Sequence, residues 1–380
     1  MKRLVWCAAL AALSVPAVTS AKKDAAPAAA PAGPAGFADS NAALLAGTNR
    51  VAISSVIVQF QASTNAVDGP GAWFQMFKSR STSETVLGWP GADPGLMTQI
   101  ADQAYAKLKA DLVAAGYEIV PEAQVKASTH YAALRSVGGI PAVTEFGNAA
   151  GDAYYVSPSS LPSYLPYALE LGVFSVPKSF IGFTSAFGGK SRTPGGPSYI
   201  SLQNNWKVAG SEVALAKELN AHVLKATYVV SLGTATATIK VSRDRTIGYD
   251  WGGNLGTQTT KTSAGSGEAM AQPGLMPEQT HLAFRTATGN PKWQKVSLTK
   301  LAPPKDGDVS VFLNQPLAGS TDLFFLSGKG GQKGSFLAAP GGPDFKFKFT
   351  ASLKESERYK DEVGAMMAQA NQLMLALVKR

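Results

Sequence analysis

Three histidines, His130, His222 and His281, are the first candidates for metal or acid–base chemistry, because imidazole titrates near neutrality and ligates divalent metals. They lie far apart in the chain, and none stands in HExxH or another zinc-ligand spacing, so each reads as structural. Gly188-Gly189-Lys190-Ser191 has the end of a phosphate loop, but Thr184 occupies the position where the first glycine should be. No GxSxG elbow occurs. SxxK occurs at Ser175 with Lys178 and at Ser297 with Lys300, without the SDN and KTG companions that serine acyl-enzymes carry. Cys7 is the only thiol, and it lies inside an apolar amino-terminal run rather than in a reactive setting. Carboxylate pairs for glycoside hydrolysis can be named, Asp244 with Asp250 and Glu268 with Glu278, but catalytic separation is a spatial property. The sequence therefore assigns no catalytic residue, no metal site and no cofactor.

Two groups of residues suit binding instead. Tyr154, Tyr155, Tyr164 and Tyr167 cluster in a proline-rich stretch that continues to Phe180, Phe183 and Phe187. Aromatic side chains on ordered loops offer a large contact area at low entropic cost, so these tyrosines form a candidate interaction surface. The commoner use of such rings is to cap a sheet as core, and that alternative stays open. Near the carboxy terminus Val363, Met366, Met367, Ala370, Leu373, Met374 and Leu377 follow helical spacing. That stripe suits a partner helix or, more simply, docking on the protein's own core.

These residues must be positioned by a chain of 380 residues, enough for two domains. With 16% charged and 45% hydrophobic residues, a disordered polyelectrolyte is excluded. A mean hydropathy of +0.00 excludes a polytopic helical membrane protein. Met1-Lys2-Arg3, the apolar run 4–18 and Thr19-Ser20-Ala21 have the layout of a signal peptide, expected over residues 1–21. Its removal takes Cys7 with it and lowers the net charge from +9 to +7. Residues 22–37, rich in Ala, Pro and Gly, read as a tether.

The folded part starts with a β-branched run, Val51, Ile53, Val56, Ile57, Val58 and Phe60. Leu96, Ile100, Ala104, Leu108 and Leu112 then predict a helix that Gly116 stops. Tyr117-Glu118-Ile119-Val120 restarts as a strand, and Pro121 opens a second helical stretch, PEAQVKASTHYAALRS. This β-α-β-α order predicts an α/β domain over residues 38–232, interrupted by a loop-rich insert at 138–207. A third helix from about Gly210 leads into the strand Thr227-Tyr228-Val229-Val230-Ser231-Leu232. Residues 233–350 read as β-rich, with strands at 235–241, 281–287, 296–299, 309–313, 322–326 and 344–350. In the last, Phe345, Phe347 and Phe349 alternate with Lys346 and Lys348 on a one-faced strand. SGKGGQKGS, residues 327–335, reads as a flexible hairpin, and 351–380 as a helix docking on the core.

RVAISSVIVQF, LMTQIADQAYAKLKADLVAAGYEIV and ATYVVSLGTATATI together resemble the periplasmic domain of the curli-export channel family. The amino-terminal domain of the Tol-system propeller protein is similar. The shared features are Gly116-Tyr117-Glu118-Ile119-Val120 after the helix and Ala226-Thr227-Tyr228-Val229-Val230 opening a later strand. The resemblance covers about residues 49–137 and 208–241. It implies a three-layer, anticodon-binding-domain-like core in the periplasm or outer membrane of a Gram-negative bacterium. The implied role is envelope assembly or export without catalysis. Two departures argue against a channel: no cysteine follows the signal, and 138–207 and 233–262 lack the sustained alternation of membrane hairpins.

The expected function is that of an exported, non-enzymatic envelope protein acting by binding, at the periplasm or outer membrane or outside the cell. Its expected partners are an envelope protein or a glycan, with a membrane surface and self-assembly as further options and no nucleic acid. The alternatives are a secreted glycan or peptidoglycan hydrolase using a carboxylate pair, and an oligomeric outer-membrane component.

Overall fold

The computed structural model describes residues 35–37, 42–68, 82–148, 151–164, 202–249, 255–277, 279–287, 308–333 and 344–378. The signal-like segment, most of the tether, Tyr167, the GGKS and SxxK sequences, Asp250, Glu278 and the expected strand 296–299 lie outside them.

The chain enters through β1 (Ala35–Phe37), the last three residues of the Ala/Pro-rich segment expected to be tether. They pair antiparallel with a later strand, because Phe37 and its neighbours find a backbone edge to bond. Next, β2 (Arg50–Gln61) is buried at every position except its two ends. A strand without alternation needs cover on both faces, as its β-branched run implies. Two further strands follow, β3 (Ser63–Asp68) and β4 (Thr82–Gly88).

Helix α1 (Pro94–Ala114) begins where the Asp93 carboxylate accepts the Gly95 N–H at 2.8 Å, with proline in the first turn. It ends as the sequence predicts. Gly116 adopts φ +93°, its N–H bonds Val113 O, and the Tyr117 N–H bonds Leu112 O, a Schellman closure. The stripe Leu96, Ile100, Ala104, Leu108 and Leu112 is the buried face, each large side chain contributing about 1.5–3 kcal/mol. After β5 (Glu118–Ile119), the single expected helix is two, α2 (Glu122–Ala127) and α3 (Thr129–Gly138). Ser128 breaks it. Its backbone is extended, and its hydroxyl caps the His130 N–H at 3.1 Å and donates to Glu218 Oε2 at 2.5 Å.

The expected loop-rich insert opens with a hairpin, β6 (Val143–Asn148) and β7 (Gly151–Val156), because β7 finds the free edge of β2. Helix α4 (Leu202–Leu219) leads into β8 (His222–Tyr249), which turns back as β9 (Leu255–Leu275). Then come β10 (His281–Arg285), β11 (Asp308–Leu313), β12 (Leu317–Ala318), β13 (Phe324–Lys333), β14 (Asp344–Leu353) and α5 (Ser356–Val378).

The larger sheet runs β1-β11-β10-β8-β2-β7-β6, with β5 added to β2 and β9 and β12 following the far end of β8. Strands β2 and β8 are parallel, and the outer pairs shown in that order are antiparallel. Alternate residues of β8 face opposite sides. Tyr228 donates to Asn371 Oδ1 of α5 at 2.7 Å, and Asn371 Nδ2 donates to Asp111 Oδ2 of α1 at 3.1 Å. On the other side Lys225 reaches Glu212 of α4. Helices thus cover both faces, and the protein is a mixed α/β fold.

A second sheet, β13-β14-β4-β3, packs on the extension of β8 and β9. SGKGGQK is part of β13 rather than a flexible hairpin, since β14 supplies a full ladder and Phe349 lies over Gly328. Trp89, Phe324 and Tyr359 meet edge-to-face at centroid distances of 5.4–5.8 Å, joining this sheet to α5.

Candidate functional site

Between Ile53 and Ser55 the pairing of β2 with β8 shifts register, which makes Ser54 a bulge residue in a central strand. The segment 157–164 docks there. The Ser163 hydroxyl donates to Val56 O at 2.8 Å and accepts the Val56 N–H at 3.2 Å, filling the broken ladder. Asp102 accepts the Ser159 N–H and hydroxyl at 2.6 and 2.9 Å, while Tyr131 and Arg135 donate to Pro162 O and Ser163 O.

The bulge starts a buried polar chain. Tyr164 gives its only proton to Glu212 Oε1 at 3.0 Å and so accepts from Ser54 Oγ at 2.8 Å. Lys225 Nζ lies 3.0 Å from Glu212 Oε1 and 3.2 Å from Oε2, and Arg285 Nε lies 3.3 Å from Oε2. Glu212 and Arg285 are 0% exposed and Lys225 3%. Burial pushes the Glu212 carboxyl up, but Lys225 and Arg285 outweigh it and hold the carboxyl below its ordinary value. Glu212 is therefore an ionised counter-ion to two cations. Its oxygens are committed to internal partners, which suits it to clamping α4, β8, β10 and segment 157–164 together rather than to proton transfer with a solvent-borne substrate.

His281 lies on the Lys225 side of β10, 4.9 Å from the Phe312 ring, and donates from Nδ1 to Gln279 O at 2.8 Å. Burial, reinforced by Lys225, lowers its pKa to about 4, so it is neutral at pH 7. His222 is also lowered by burial and meets Leu45 O at 3.4 Å. His130 is half-exposed on α3, 3.9 Å from Glu218. The structure does not bring the three together, and among the described residues no group of three or more His, Cys, Asp or Glu is placed to hold a metal.

The tyrosine surface is corrected in part. Tyr164 is fully buried and Tyr155 is 7% exposed, because bulge docking and pairing with β2 turn them inward. Of the three described tyrosines Tyr154 alone is part-exposed, its phenol raised by burial and then by Glu145 and Asp152, and Tyr167 lies outside the described residues. Sequence reasoning missed the Glu212–Lys225–Arg285 cluster. Its signal was available: Lys225 and Arg285 interrupt the apolar runs HVLKATYVV and HLAFRT, where a charge is costly without a partner.

The other candidate site is outside. Beyond Val230, β8 pairs with β9 through to Tyr249, a two-stranded ribbon projecting from the large sheet. Exposure alternates along it. Thr234, Thr236, Thr238, Lys240, Ser266, Glu268 and Met270 point outward, while Ala235, Ala237, Ile239, Gly265, Gly267 and Ala269 are shielded. The sequence led to no expectation of alternation over 233–262, because the shielded residues, Ile239 apart, are too small to register as apolar. Their smallness has a cause: Phe345 and Phe347 lie directly on Gly265 and Gly267. Of the carboxylate pairs, Glu268 is on the exposed face of this ribbon and Asp244 is in β8, with their suggested partners outside the described residues.

Among the described residues no helix is long and apolar enough to cross a membrane. Compared with protein-family models, curated proteins and solved structures, the chain finds no significant match.

Proposed function

We propose that the chain is an exported, non-enzymatic protein of the bacterial envelope that acts by binding, with the β8–β9 ribbon as its principal contact element. The observation that carries this reading is the ribbon itself. It is stiffened by a four-stranded sheet on one face and presents an extended hydroxyl-rich face on the other. Such a surface suits a macromolecular partner, an envelope protein or a glycan, better than a small substrate. The commitment of Glu212 to internal cations supports binding over catalysis. The signal-like residues 1–21 support export, and a three-layer, curli-export-like kinship of the core is part of the same proposal.

The test places photo-crosslinking residues at Thr236 and Ser266 in living cells and identifies the adducts by mass spectrometry. A discrete partner shared by both positions and absent with a probe at buried Ile100 is expected. Adducts no more specific than those of that control overturn the reading.

The ribbon's length favours one second reading, an oligomeric outer-membrane component. Its paired stretches, residues 231–249 of β8 and 255–274 of β9, exceed the 9–11 residues that a membrane-crossing strand takes. That reading expects a large assembly by light scattering and dye release from liposomes. A monomer that leaves liposomes intact removes it.

A further inference from the structure

The exposed face of the β8–β9 ribbon carries a pattern that is symmetrical about one rung of its ladder. Thr234 stands opposite Met270, Thr236 opposite Glu268, Thr238 opposite Ser266 and Lys240 opposite Ala264, and all of these residues are exposed. The two charges lie on different strands, Lys240 two residues to one side of the Thr238–Ser266 rung and Glu268 two residues to the other. At about 3.4 Å per residue they stand about 14 Å apart, too far to pair with each other. Among the described residues neither has an ion-pair partner. The opposite side of these rungs is taken up by the four-stranded sheet, with Phe345 on Gly265 and Phe347 on Gly267.

We propose that this face docks on the same face of a second copy of the chain, across a two-fold axis that runs along the Thr238–Ser266 rung. The inference names a partner for the ribbon and rests on the ribbon's role as a contact element. The axis turns the Lys240 rung of one copy onto the Glu268 rung of the other. Lys240 then faces the partner's Thr236, and the partner's Glu268, across the ladder from it, lies about 5 Å to the side, within a lysine's reach. Symmetry repeats the pair. Glu268 faces the partner's Ala264, which is small enough to leave it room. On the axis each residue meets its own image. A hydroxyl can donate to its image and accept from it, whereas a charge there would repel itself, and the residues on that rung are Thr238 and Ser266. A face arranged in this way complements itself, which singles out a second copy over an unrelated chain.

The area sets the strength. The ladder extends at least seven residues to either side of Thr238. The overlapping faces are then about 50 Å long and about 10 Å wide, and together bury about 1,000 Å². That is the low end for a specific interface, so the dimer is reversible, with a Kd in the micromolar range.

Sedimentation equilibrium of the purified protein tests this. A monomer–dimer equilibrium that weakens as salt rises is expected. Lys240→Glu and Glu268→Lys each set like charges against one another and weaken the dimer about tenfold, while the double reversal restores it. Thr238→Arg places two cations on the axis and removes the dimer. The three positions are exposed, so the melting curves stay unchanged. A protein that is monomeric up to about millimolar concentration overturns the proposal. So does a dimer indifferent to the single reversals, or one that the double reversal does not rescue. A discrete photo-crosslink from Thr236 and Ser266 to a different protein, with only monomer in sedimentation, removes this inference and leaves the ribbon's binding role standing.

Discussion

Glu212 and Lys225 meet at 3.0 Å in the protein interior, one on the helix α4 and the other on the central strand β8, with Arg285 completing the pair to a triad. Two cations share one carboxylate, so the group whose loss is least tolerable is Glu212. Glu212→Ala leaves two buried charges facing each other and is expected to cost about 3–5 kcal/mol. Urea unfolding measures it, and a loss below about 1 kcal/mol would show that water reaches the cluster. Replacing all three by apolar residues of similar size is expected to recover much of the loss, because desolvation offsets most of what a buried ion pair contributes.

The same cluster sets an acid limit. Glu212 has a folded pKa below its unfolded value, so its contribution is present above the unfolded carboxylate pKa and is lost as pH falls through the folded one. His281 acts over a higher window. Its pKa falls from 6.5 unfolded to about 4 folded, so the unfolded chain binds more protons between those values. Stability is therefore complete above about pH 6.5 and declines as pH falls toward 4, by on the order of 3 kcal/mol. His281→Gln should flatten the fall between pH 6.5 and 4 in denaturation series. An unchanged slope would place the proton uptake elsewhere.

A Cβ on Gly267 would overlap Thr85 Oγ1 and lie 2.6 Å from the Phe347 ring. Gly267→Val should therefore push the four-stranded sheet away from the ribbon, costing about 1–3 kcal/mol. Faster hydrogen exchange confined to β14 and β4, with α1 unchanged, is the expected signature. Uniform exchange across both sheets would contradict it.

Gly233 has φ +151°, and a Cβ there would overlap Met270 O at the bulge where β8 leaves the large sheet. Gly233→Ala is strained both by conformation and by contact. A drop in melting temperature is expected, larger than for Gly91→Ala, where the Cβ meets nothing within 4 Å. Equal effects at the two glycines would remove the bulge from the argument.

Asn371 links the two helices on one face to the sheet, accepting from Tyr228 and donating to Asp111. Tyr228→Phe leaves the Asn371 oxygen buried without that donor and should cost about 1–3 kcal/mol. Thermal unfolding tests it, and Tyr228→Phe in an Asn371→Leu background should cost less than it does alone.

What the sequence determined by itself is local. The Leu96–Leu112 repeat and Gly116 specify α1 and its end, because periodicity and left-handed closure act within a few residues. The continuous apolar run of β2 specified a strand covered on both faces for the same kind of reason. Alternating phenylalanines specified which side of β14 packs. Tertiary structure decided the rest. Glycine-rich SGKGGQK has no strand propensity, yet it is a strand because β14 pairs with it and Phe349 covers Gly328. Apart from Ile239 the ribbon's shielded face is Ala and Gly, weak in hydropathy, and over Gly265 and Gly267 the bulk that fills the space comes from Phe345 and Phe347 on another strand. Tyr164, Glu212, Lys225 and Arg285 come from four separate segments. Each is an unfavourable choice for a core alone, and they become acceptable only when the fold brings their charges and hydrogen bonds within about 3 Å of one another.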